Sequence, residues 1–426
     1  MTAADPQPKA AATSGDGFFR SRWVDRPAHV TELEPDALPQ GFRAAGVHAG
    51  IKPKGLDVGL LVSDRETVSA VRFCDNALIG APIAVTSEAR LEGLRAVLAN
   101  SGNSNVADGA RGLETARESQ AAAAEALRLD ADRIGLASTG VIGRQLPRDA
   151  LVSGARACAE ALGPDATDFC TAILTTDAGP KRACLEVALP SGPTVRLAGQ
   201  AKGAGMISPR FATMFCFVET DAEVEHATLD LLTGVCVKRS FDRISVDAQL
   251  STSDTVIAFA NGAAGVRIEP ESPDELALGE ALDALMRQLA LEIVADGEGT
   301  TRVGRVTVRG ALEHVEPVAR AVADSPLVKA ALLGADPNFG RILQSTGQAL
   351  GGGTPFVVDL EIEGLQVVSA GVVLDLDADA WRTLERAVES DEVDIALTLP
   401  GEGGETEVFF SDLTHEYVTI NSEYST

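Results

Sequence analysis

The amino-acid sequence predicts a two-lobed protein of the α/β (α+β) class. Its 426 residues exceed what a single compact core usually accommodates. Segments with the apolar period of a helix, about 3.6 residues, are interspersed along the whole chain with short segments in which apolar and polar residues alternate, as in strands. The chain shows no internal repeat and no coiled-coil heptad, so we expect ordinary packed sheets and helices.

Three helices have clear sequence signals. Residues 109–129 are dominated by Ala, Glu and Leu, which favour helix. Ser272-Pro273-Asp274-Glu275 is a capping box with proline at the first helical position, so a helix is expected from there to about Val294. Residues 377–390 form the third helix, with Asp379 as its expected cap.

Strands are predicted where apolar and charged or polar residues alternate. Residues 306–309 show this pattern, and so do residues 357–368, where Val358, Leu360 and Ile362 alternate with acidic residues. The pattern places the three apolar side chains on one face of a strand, which we expect to be buried.

Four further segments have weaker signals. The apolar run 214–218 predicts a buried strand, and residues 417–420 are also strand-like. The glycine-rich residues 351–353 and 401–404 predict loops. Because strand signals flank the second of these, we interpret it as the tip of a hairpin.

The first 37 residues are predicted to be a disordered extension outside the fold. Residues 1–20 are rich in Ala, Pro and Gly and lack the apolar centre of a secretory signal. No segment approaches the run of about 18 uncharged apolar residues that would span a membrane. We therefore expect a cytoplasmic protein with no membrane partner.

Charge and metal-ligand spacing exclude several classes of function. The net charge of −26 disfavours nucleic-acid binding, because phosphate contacts need a basic surface. This acidity is typical either of a GC-rich genome with a well-solvated surface or of a salt-loving source. The six cysteines form no CxxC pair, and none of the five histidines has i, i+4 spacing, so we expect reduced thiols and no metal.

The segment 201–214 carries a candidate nucleophile. It runs from a flexible Gly-Ala-Gly through Pro209 to Thr213, which opens the apolar run. A strand beginning at Thr213 would hold its hydroxyl at the end of a rigid element. A plain loop that enters a buried strand has the same composition, and composition alone favours that simpler interpretation.

Other polar segments also allow a functional and a structural interpretation. The small-polar-glycine turn 136–143 can aim backbone N–H groups into a cleft, as stabilisation of an oxyanion requires, or it can be a simple tight turn. Residues 99–105 and 335–341 are typical of loops whose side chains cap their own backbone. The chain ends abruptly in the polar residues 420–426, which indicates a terminus held in place.

Together these segments resemble one family, the ornithine acetyltransferases, also called glutamate N-acetyltransferases, of arginine biosynthesis. The resemblance runs from about Gly41 to Thr426. Each motif is weak alone, but six in the right order are specific. They are STGVIG (138–143), TTDAGPK (175–181), KGAGMISPRFATM (202–214), DGEG (296–299), DPNFGR (336–341) and INSEYST (420–426). The resemblance implies a self-cleaving N-terminal-nucleophile enzyme with layered sheets and helices.

The resemblance also implies how the catalyst is made. Cleavage between Ala212 and Thr213 would divide the chain into an α chain, residues 38–212, forming the N-terminal lobe, and a β chain, residues 213–426, forming the C-terminal lobe. The α-amine of Thr213 would then serve as general base for its own hydroxyl. Thr139 and Gly140 match the oxyanion hole of the family.

The substrate contacts implied by the resemblance are Thr175, Lys202, Thr213, Glu298, Asn421 and Thr426. An amino-acid substrate brings a carboxylate for Lys202 and an amine for Glu298, although either residue could equally be a solvated surface charge. The acetyl group would pass from N-acetylornithine to glutamate through acetyl-Thr213. No cofactor is implied, acetyl-CoA remains possible as a second donor, and the family suggests a heterotetramer of two α and two β chains.

This chain departs from the family pattern at three places. Ala178 replaces a threonine, residues 248–250 (Ala-Gln-Leu) replace a Gly-Asp-Thr turn, and residues 409–411 are Phe-Phe-Ser where the family has Trp-Gly-Cys. Alternatives to the acetyltransferase are therefore a paralogous acyltransferase with another amino-acid substrate, an amidase or aminopeptidase with the same self-cleaving chemistry, and an uncleaved binding protein.

Overall fold

The computed structural model describes residues 17–208, 214–353 and 355–423. Its strands, numbered in chain order, are β1 (Val30–Glu32), β2 (Phe42–Val47), β3 (Val58–Ser63), β4 (Val68–Phe73), β5 (Ala96–Asn100), β6 (Ile134–Ser138), β7 (Lys181–Ala188), β8 (Thr194–Lys202), β9 (Phe215–Thr220), β10 (Ile244–Ser245), β11 (Thr255–Ala260), β12 (Val303–Ala311), β13 (Asp359–Ile362), β14 (Leu365–Ser369), β15 (Val372–Val373), β16 (Glu392–Thr398) and β17 (Gly403–Ser411). Its α-helices are α1 (Ala81–Ser87), α2 (Gly109–Leu127), α3 (Arg148–Ala161), α4 (Thr167–Ala172), α5 (His226–Arg239), α6 (Pro273–Ala295), α7 (Leu312–Ala323), α8 (Pro326–Leu333), α9 (Phe339–Leu350), α10 (Ala378–Ala387) and α11 (His415–Glu423).

Two sheets stack face to face and are covered by helices on both outer sides. A four-stranded sheet has the order β2-β3-β5-β6, and a six-stranded sheet has the order β1-β7-β8-β9-β11-β4. An apolar core that includes Leu61, Val97 and Phe217 lies between them. Helices α2 and α3 pack on the outer face of the first sheet, and α5 and α6 pack on the outer face of the second. The α/β class with layered sheets is therefore confirmed.

Strand β9 shows why the run 214–218 is apolar throughout. Phe215 and Phe217 point into the core between the two sheets, whereas Cys216 and Val218 point into the core under α5 and α6. Successive side chains of a strand face opposite sides, so a strand covered on both faces needs apolar residues at every position. The predicted buried strand is confirmed for residues 215–218.

A second lobe is built on the seven-stranded sheet β10-β17-β12-β16-β13-β14-β15. Its core contains the alternating residues Val358, Leu360 and Ile362, all buried as the sequence predicts. Residues 357–368 form β13, a turn and β14, and residues 306–309 lie within β12. We refer to this seven-stranded sheet as the outer sheet.

The predicted helices are confirmed, with small corrections at their ends. Helix α6 begins as expected, because the Ser272 side chain accepts a hydrogen bond from the backbone N–H of Glu275. Helix α2 ends two residues early, before Arg128 adopts a left-handed conformation. The expected cap of α10 was wrong by two residues: the Asp377 carboxylate accepts from the N–H groups of Asp379 and Ala380.

Three other sequence predictions are wrong. Of the predicted loop 401–404, only residues 401 and 402 lie outside the strands, since β17 begins at Gly403. The segment is not a hairpin tip, because β12 lies between β16 and β17 and pairs with both. Residues 417–420 lie in helix α11, not in a strand. The predicted disordered extension is wrong for residues 17–37, since β1 pairs with β7 and Val30 is buried.

The two predicted chains share one sheet. The cut between residues 212 and 213 stays a prediction. In the six-stranded sheet, β9 and β11 follow this bond in the sequence, and the other four strands precede it. Strands β8 and β9 pair antiparallel from Leu197 opposite Thr220 to Lys202 opposite Phe215. The boundary between the lobes therefore does not coincide with the predicted cut.

Candidate active site

Three of the sequence motifs meet at the end of the gap between the two stacked sheets. Lys202 is the last residue of β8, Thr139 follows β6 directly, and Thr175 lies in the loop after α4. The Lys202 Nζ donates hydrogen bonds to Thr139 Oγ1 at 3.1 Å and to Thr175 Oγ1 at 3.0 Å. One buried ammonium group thus joins two threonines that lie 63 and 27 positions before Lys202 in the sequence.

The environment of Lys202 leaves part of its binding capacity unused. The residue is 1% exposed, and its Nζ lies 5.8 Å from the centre of the Phe215 ring. An ammonium group carries three donors, and among the described residues only the two threonine hydroxyls accept from it. Burial lowers the pKa of Lys202, and the charges of Asp177, Asp254 and Glu298 oppose this effect. The site therefore has a strong donor available for an anion.

A buried ion network lies next to Lys202 and holds the backbone that follows it. The Asp177 carboxylate, whose side chain has no exposed surface, accepts from Lys181 Nζ at 2.7 Å and from the Gly203 N–H at 2.7 Å. Burial alone would raise the pKa of Asp177, but the charges of Lys181 and Lys202 outweigh it and hold that pKa well below its usual range. The network fixes the backbone directly after Lys202.

Asp296 extends this network to the DGEG motif. Its carboxylate accepts from Lys181 Nζ at 2.5 Å and from the Ala178 N–H at 3.0 Å. Burial raises the pKa of Asp296, and the charge and hydrogen bond of Lys181 oppose that rise. Ala178, where the family has threonine, is exposed next to this ion pair. The missing hydroxyl therefore changes the polarity of the site's border and leaves the network intact.

Gly140 sits in a turn that no other residue could occupy without strain. Its φ is +126°, and an added Cβ would lie 2.4 Å from the carbonyl carbon of Gly102 and 2.6 Å from the nitrogen of Asn103. Both neighbours belong to the amide-rich segment 99–105, whose side chains stabilise its own turn: Asn100 Nδ2 donates to the Asn103 carbonyl oxygen. The structural interpretation of that segment is therefore confirmed, and the segment also supports the glycine turn.

The turn offers two hydrogen-bond donors to an oxyanion. We expected two backbone N–H groups, but the donor from Thr139 is its side-chain hydroxyl. The Thr139 backbone N–H is already used, since it donates to the Asn100 carbonyl oxygen at 3.0 Å. Its hydroxyl accepts from Lys202, which leaves the hydroxyl proton free to donate. The Gly140 N–H has no acceptor within the described parts of the chain. The available pair is thus one side-chain hydroxyl and one backbone amide.

Glu298 and Asn421 meet at the opposite side of the site. Glu298 is 8% exposed, and its Oε2 accepts from Asn421 Nδ2 at 2.5 Å. The Glu298 N–H donates to the Ala204 carbonyl oxygen at 3.3 Å, two residues beyond Lys202. A Cβ on Gly205 would lie 2.7 Å from the Glu298 carboxyl group, so the glycine permits this close approach.

The remaining predicted site residues cannot be placed. Ala212, Thr213 and Thr426 lie outside the described residues. Their neighbours are described: Met214 is buried and donates its N–H to Asp254 Oδ1 at 2.9 Å, and helix α11 ends at Glu423. The structure therefore brings together Thr139, Thr175, Lys202, Glu298 and Asn421, with Gly140 adjacent.

Sequence reasoning gave no role to several buried charged residues around the site. These are Asp177, Lys181, Asp247, Asp254 and Asp296. All of them lie in the family motifs or in residues 240–254. Charged residues among small and apolar neighbours could have indicated these buried positions. Residues 336–341 act as a helix cap, since Asn338 Oδ1 accepts from the Arg341 N–H, and not as part of the site.

The described residues form neither a metal site nor a membrane-spanning helix. Among residues 17–208, 214–353 and 355–423, no cluster of three or more His, Cys, Asp or Glu side chains has the arrangement of a metal site. Within the same ranges, no helix combines the length and apolar character needed to cross a bilayer.

Comparison with known proteins identifies one family. The model of the ArgJ family matches residues 43–426. The arginine biosynthesis bifunctional protein ArgJ of Symbiobacterium thermophilum is 42% identical over 398 residues, which cover 91% of this chain and 98% of that protein. The protein of the same name from Nitratidesulfovibrio vulgaris is 41% identical over 394 residues, or 91% and 99% of the two chains.

A solved structure is similar over a shorter range. The crystal structure of the arginine biosynthesis bifunctional protein ArgJ from Bacillus halodurans has 36% sequence identity and a TM-score of 0.39. The match covers 43% of this chain and 97% of that chain. Together, the family model and these relatives favour the acetyltransferase over a paralogous acyltransferase, an amidase or an aminopeptidase.

Proposed function

The chain belongs to the ArgJ family, and from that premise we propose that Thr213 is its nucleophile, freed by cleavage of the Ala212–Thr213 bond. As a member of this family it is an acetyltransferase of arginine biosynthesis that moves an acetyl group between ornithine and glutamate. The observation that carries the proposed site is the Lys202 ammonium group, which joins Thr139 and Thr175 in front of the strand that follows Thr213.

Self-cleavage would proceed by an acyl shift from nitrogen to oxygen. The Thr213 Oγ attacks the carbonyl carbon of Ala212, its proton passes to the departing nitrogen, and the peptide C–N bond breaks to give an ester. Water then hydrolyses the ester, which leaves a carboxylate on Ala212 and a free α-amine on Thr213. This amine supplies the general base that a chain with only five histidines would otherwise lack.

The transfer would follow in two half-reactions. The α-amine takes the hydroxyl proton while Thr213 Oγ attacks the acetyl carbonyl of N-acetylornithine. The Thr139 hydroxyl and the Gly140 N–H stabilise the negative oxygen of the tetrahedral intermediate, which then releases ornithine as its amine accepts the proton. The amine of glutamate then attacks the acetyl carbonyl of acetyl-Thr213, and the bond between that carbon and Thr213 Oγ breaks. The proton lost by the amine returns to Oγ, and N-acetylglutamate leaves.

The described residues suit an amino-acid substrate. The unused donor of Lys202 fits an α-carboxylate, and Thr175 shares the same ammonium group. The buried Glu298 accepts from the exposed Asn421 and offers negative charge to an amine-bearing side chain. Thr426 would complete the site from the C-terminus, three residues beyond the end of α11.

We also propose how the two cleaved chains stay together and where the enzyme acts. After cleavage, the β8–β9 pairing and the core between the stacked sheets would hold the two chains together, as expected of a heterotetramer of two α and two β chains. We propose a cytoplasmic enzyme that needs no cofactor. Acetyl-CoA would be a second acetyl donor if the enzyme is bifunctional.

One purified sample tests the proposed function. The protein is incubated with N-acetylornithine and glutamate, and N-acetylglutamate and free acetate are measured together. We expect N-acetylglutamate and ornithine in equal amounts. Free acetate in place of N-acetylglutamate would show that water is the acceptor and would contradict the transferase. A parallel incubation with acetyl-CoA and glutamate shows whether acetyl-CoA serves as donor.

A further inference from the structure

We infer that a single loop, residues 247–254, holds the chain on both sides of the bond that is cut, through the carboxyl groups of Asp247 and Asp254. We call this segment the clamp loop. The inference rests on the proposed cleavage between Ala212 and Thr213, and it assigns two positioning residues to that step. The contacts that support it are made by residues 206 and 207, before the cut, and by residue 214, after it.

Asp247 holds the chain before the cut. Its Oδ2 accepts from the Met206 N–H at 2.7 Å, and its Oδ1 accepts from the Ile207 N–H at 2.9 Å. Two further bonds run in the opposite direction, since the N–H groups of Val246 and Asp247 donate to the Ile207 carbonyl oxygen at 2.8 Å and 3.2 Å. Four hydrogen bonds therefore fix two consecutive residues.

The backbone held by Asp247 is strained. Met206 has a φ of +57°, in the left-handed region that costs a residue with a Cβ roughly 1–2 kcal/mol. Such a conformation persists only where the surroundings impose it, and the carboxylate accepting from residues 206 and 207 does so. The direction in which the chain leaves Ile207 is therefore set by the clamp loop.

Asp254 holds the chain after the cut. Its Oδ1 accepts from the N–H of Met214, the residue that follows Thr213, and the Thr255 N–H donates to the Met214 carbonyl oxygen at 3.3 Å. Strands β11 and β9 pair in parallel directly beyond this point. The amide nitrogen held by Asp254 is the one bonded to the Thr213 carbonyl carbon, so the contact lies one residue from the reacting hydroxyl.

The second carboxyl oxygen of Asp254 differs from the first in its contacts. The residue is completely buried, and its Oδ2 has no hydrogen-bond partner among the described residues. An unsatisfied buried oxygen costs free energy, and native proteins retain few of them. Burial raises the pKa of Asp254 to about 8, while the Met214 N–H, the Ser251 side chain and the Lys202 charge oppose the rise. Asp254 is therefore a buried acid fixed to the residue after the nucleophile, as a positioning role requires.

The physical advantage of the clamp loop is the restriction of the segment between its two contacts. Attack of a side-chain hydroxyl on the preceding carbonyl requires a compact backbone conformation, and holding reacting groups in place can lower a barrier by several kcal/mol. Because both contacts come from one short loop, the distance between residues 207 and 214 is set locally. Tyr417 of α11 donates to Asp247 Oδ2 at 3.2 Å and so ties the C-terminal helix to the same loop.

The test follows cleavage of newly made protein. Full-length chain is synthesised in a cell-free system with a short radioactive pulse, and the disappearance of the uncut chain is followed on a denaturing gel. We expect Asp254→Ala and Asp247→Ala each to slow cleavage by up to about 10²-fold, the effect of misplacing reacting groups by about 1 Å. Asp254→Asn and Asp247→Asn retain an acceptor oxygen, so each should be cut faster than the corresponding alanine variant.

Asp221 provides a matched control at the other end of β9. It is 1% exposed, and its carboxylate accepts from the backbone N–H groups of Arg196 and Gln40 at 2.7 Å and 3.3 Å. Asp221→Ala and Asp221→Asn should lower the melting temperature of the protein without slowing cleavage. Comparing the two positions separates a loss of stability from a loss of positioning.

The possible results lead to distinct conclusions. Cleavage of the Asp247 and Asp254 variants at the wild-type rate, or slowing no greater than in the Asp221 variants of equal melting temperature, would overturn the inference. If an alanine variant fails to fold, Asp247→Asn decides, because it can retain only one of the two carboxylate contacts. Slower cleavage than wild type supports the clamp loop, and an unchanged rate overturns it. A wild-type chain that stays uncut would instead contradict the proposed function itself.

Discussion

Ion pairs differ in exposure between two regions of the molecule. One region is the end of the gap between the two stacked sheets, and the other is the outer sheet. At the end of the gap, Lys181 and Asp177 form an ion pair whose side chains are 4% and 0% exposed. In the outer sheet, the cross-strand pair Arg309–Glu405 has side chains that are 66% and 59% exposed. The first pair lies inside the protein, and the second lies on its surface.

This difference indicates which charges serve function. Removing an ion from water is costly, and a buried pair often stabilises a protein no more than apolar residues of the same size would. An exposed pair costs little to form and contributes little. The buried ions beside Lys202 are therefore best explained by what they hold in place, and substitutions in the two regions should differ in size.

The largest effect on stability is expected for Asp177→Asn. The substitution removes the negative charge between Lys181 and Lys202. Lys181 keeps its partner Asp296, but the buried Lys202 loses its main counter-charge, and breaking a buried pair typically costs about 3–5 kcal/mol in the free energy of unfolding. Urea denaturation at neutral pH measures it. The same chemical change in the exposed Arg43–Asp64 pair, Asp64→Asn, should cost less than about 1 kcal/mol. Equal losses at the two positions would remove the contrast.

The contribution of Asp177 also has a pH dependence of known sign. Its pKa in the folded protein is held below the usual carboxyl value of about 3.9. The stabilisation is therefore present above that usual value and is lost as the pH falls through the lowered pKa. In acid titrations the wild type should lose this contribution, and Asp177→Asn should lack it. An identical acid dependence of the two proteins would contradict this assignment.

Gly140→Ala should have the largest effect on turnover among substitutions outside Thr213. A Cβ would collide with Gly102 and Asn103 and would displace the N–H that we assign to the oxyanion. Loss of one such donor costs about 10²–10³ in turnover. Gly143→Ala is the matched control, because Gly143 also has a positive φ but a Cβ there would meet nothing within 4 Å. It should lower stability slightly and leave turnover unchanged; a similar loss of turnover in both would argue against the oxyanion role.

Ala248→Gly should stabilise the clamp loop. Ala248 has a φ of +59°, a conformation that glycine adopts without strain. Relief of the left-handed strain gains about 1–2 kcal/mol, part of which is offset by the greater flexibility of glycine in the unfolded chain. We expect a net gain of up to about 1 kcal/mol in urea denaturation. Ala121→Gly on the exposed face of α2 should instead lose about 0.5–1 kcal/mol. Losses at both positions would show that no strain is stored at Ala248.

The smallest effect is expected in the outer sheet. Arg309→Ala removes an exposed pair with an N–O distance of 3.0 Å and should change the free energy of unfolding by about 0.2–1 kcal/mol. Added salt should reduce even this difference, because exposed charges are screened. A loss as large as that of Asp177→Asn would show that exposure does not distinguish the two regions.

Local features of the fold were predictable because their causes are local. The capping box at Ser272 and the alternation at Val358, Leu360 and Ile362 depend on residues close in sequence, and the structure confirms both. The hairpin prediction at residues 401–404 failed because the partner of both flanking strands is β12, about 90 residues earlier. Strand order is set by packing over the whole chain, which alternation does not encode.

The candidate site was predictable only in part. The family motifs identified Thr139, Thr175, Lys202, Glu298 and Asn421, which the structure brings together. They did not indicate that the Thr139 N–H is used by Asn100, so that the hydroxyl is its available donor. Nor did they separate Asp177 and Asp254 from ordinary loop acids, because burial and hydrogen-bond partners depend on distant segments, such as Gly203 for Asp177 and Met214 for Asp254.

The mass of the protein chains before and after exposure to N-acetylornithine tests the central claim most directly. The account predicts two chains in place of one of 44.2 kDa, the second beginning at Thr213 and gaining one acetyl group on that residue. Thr213→Ala should remain a single chain that gains none. A wild-type protein that stays as one uncut chain yet still produces N-acetylglutamate would contradict the account.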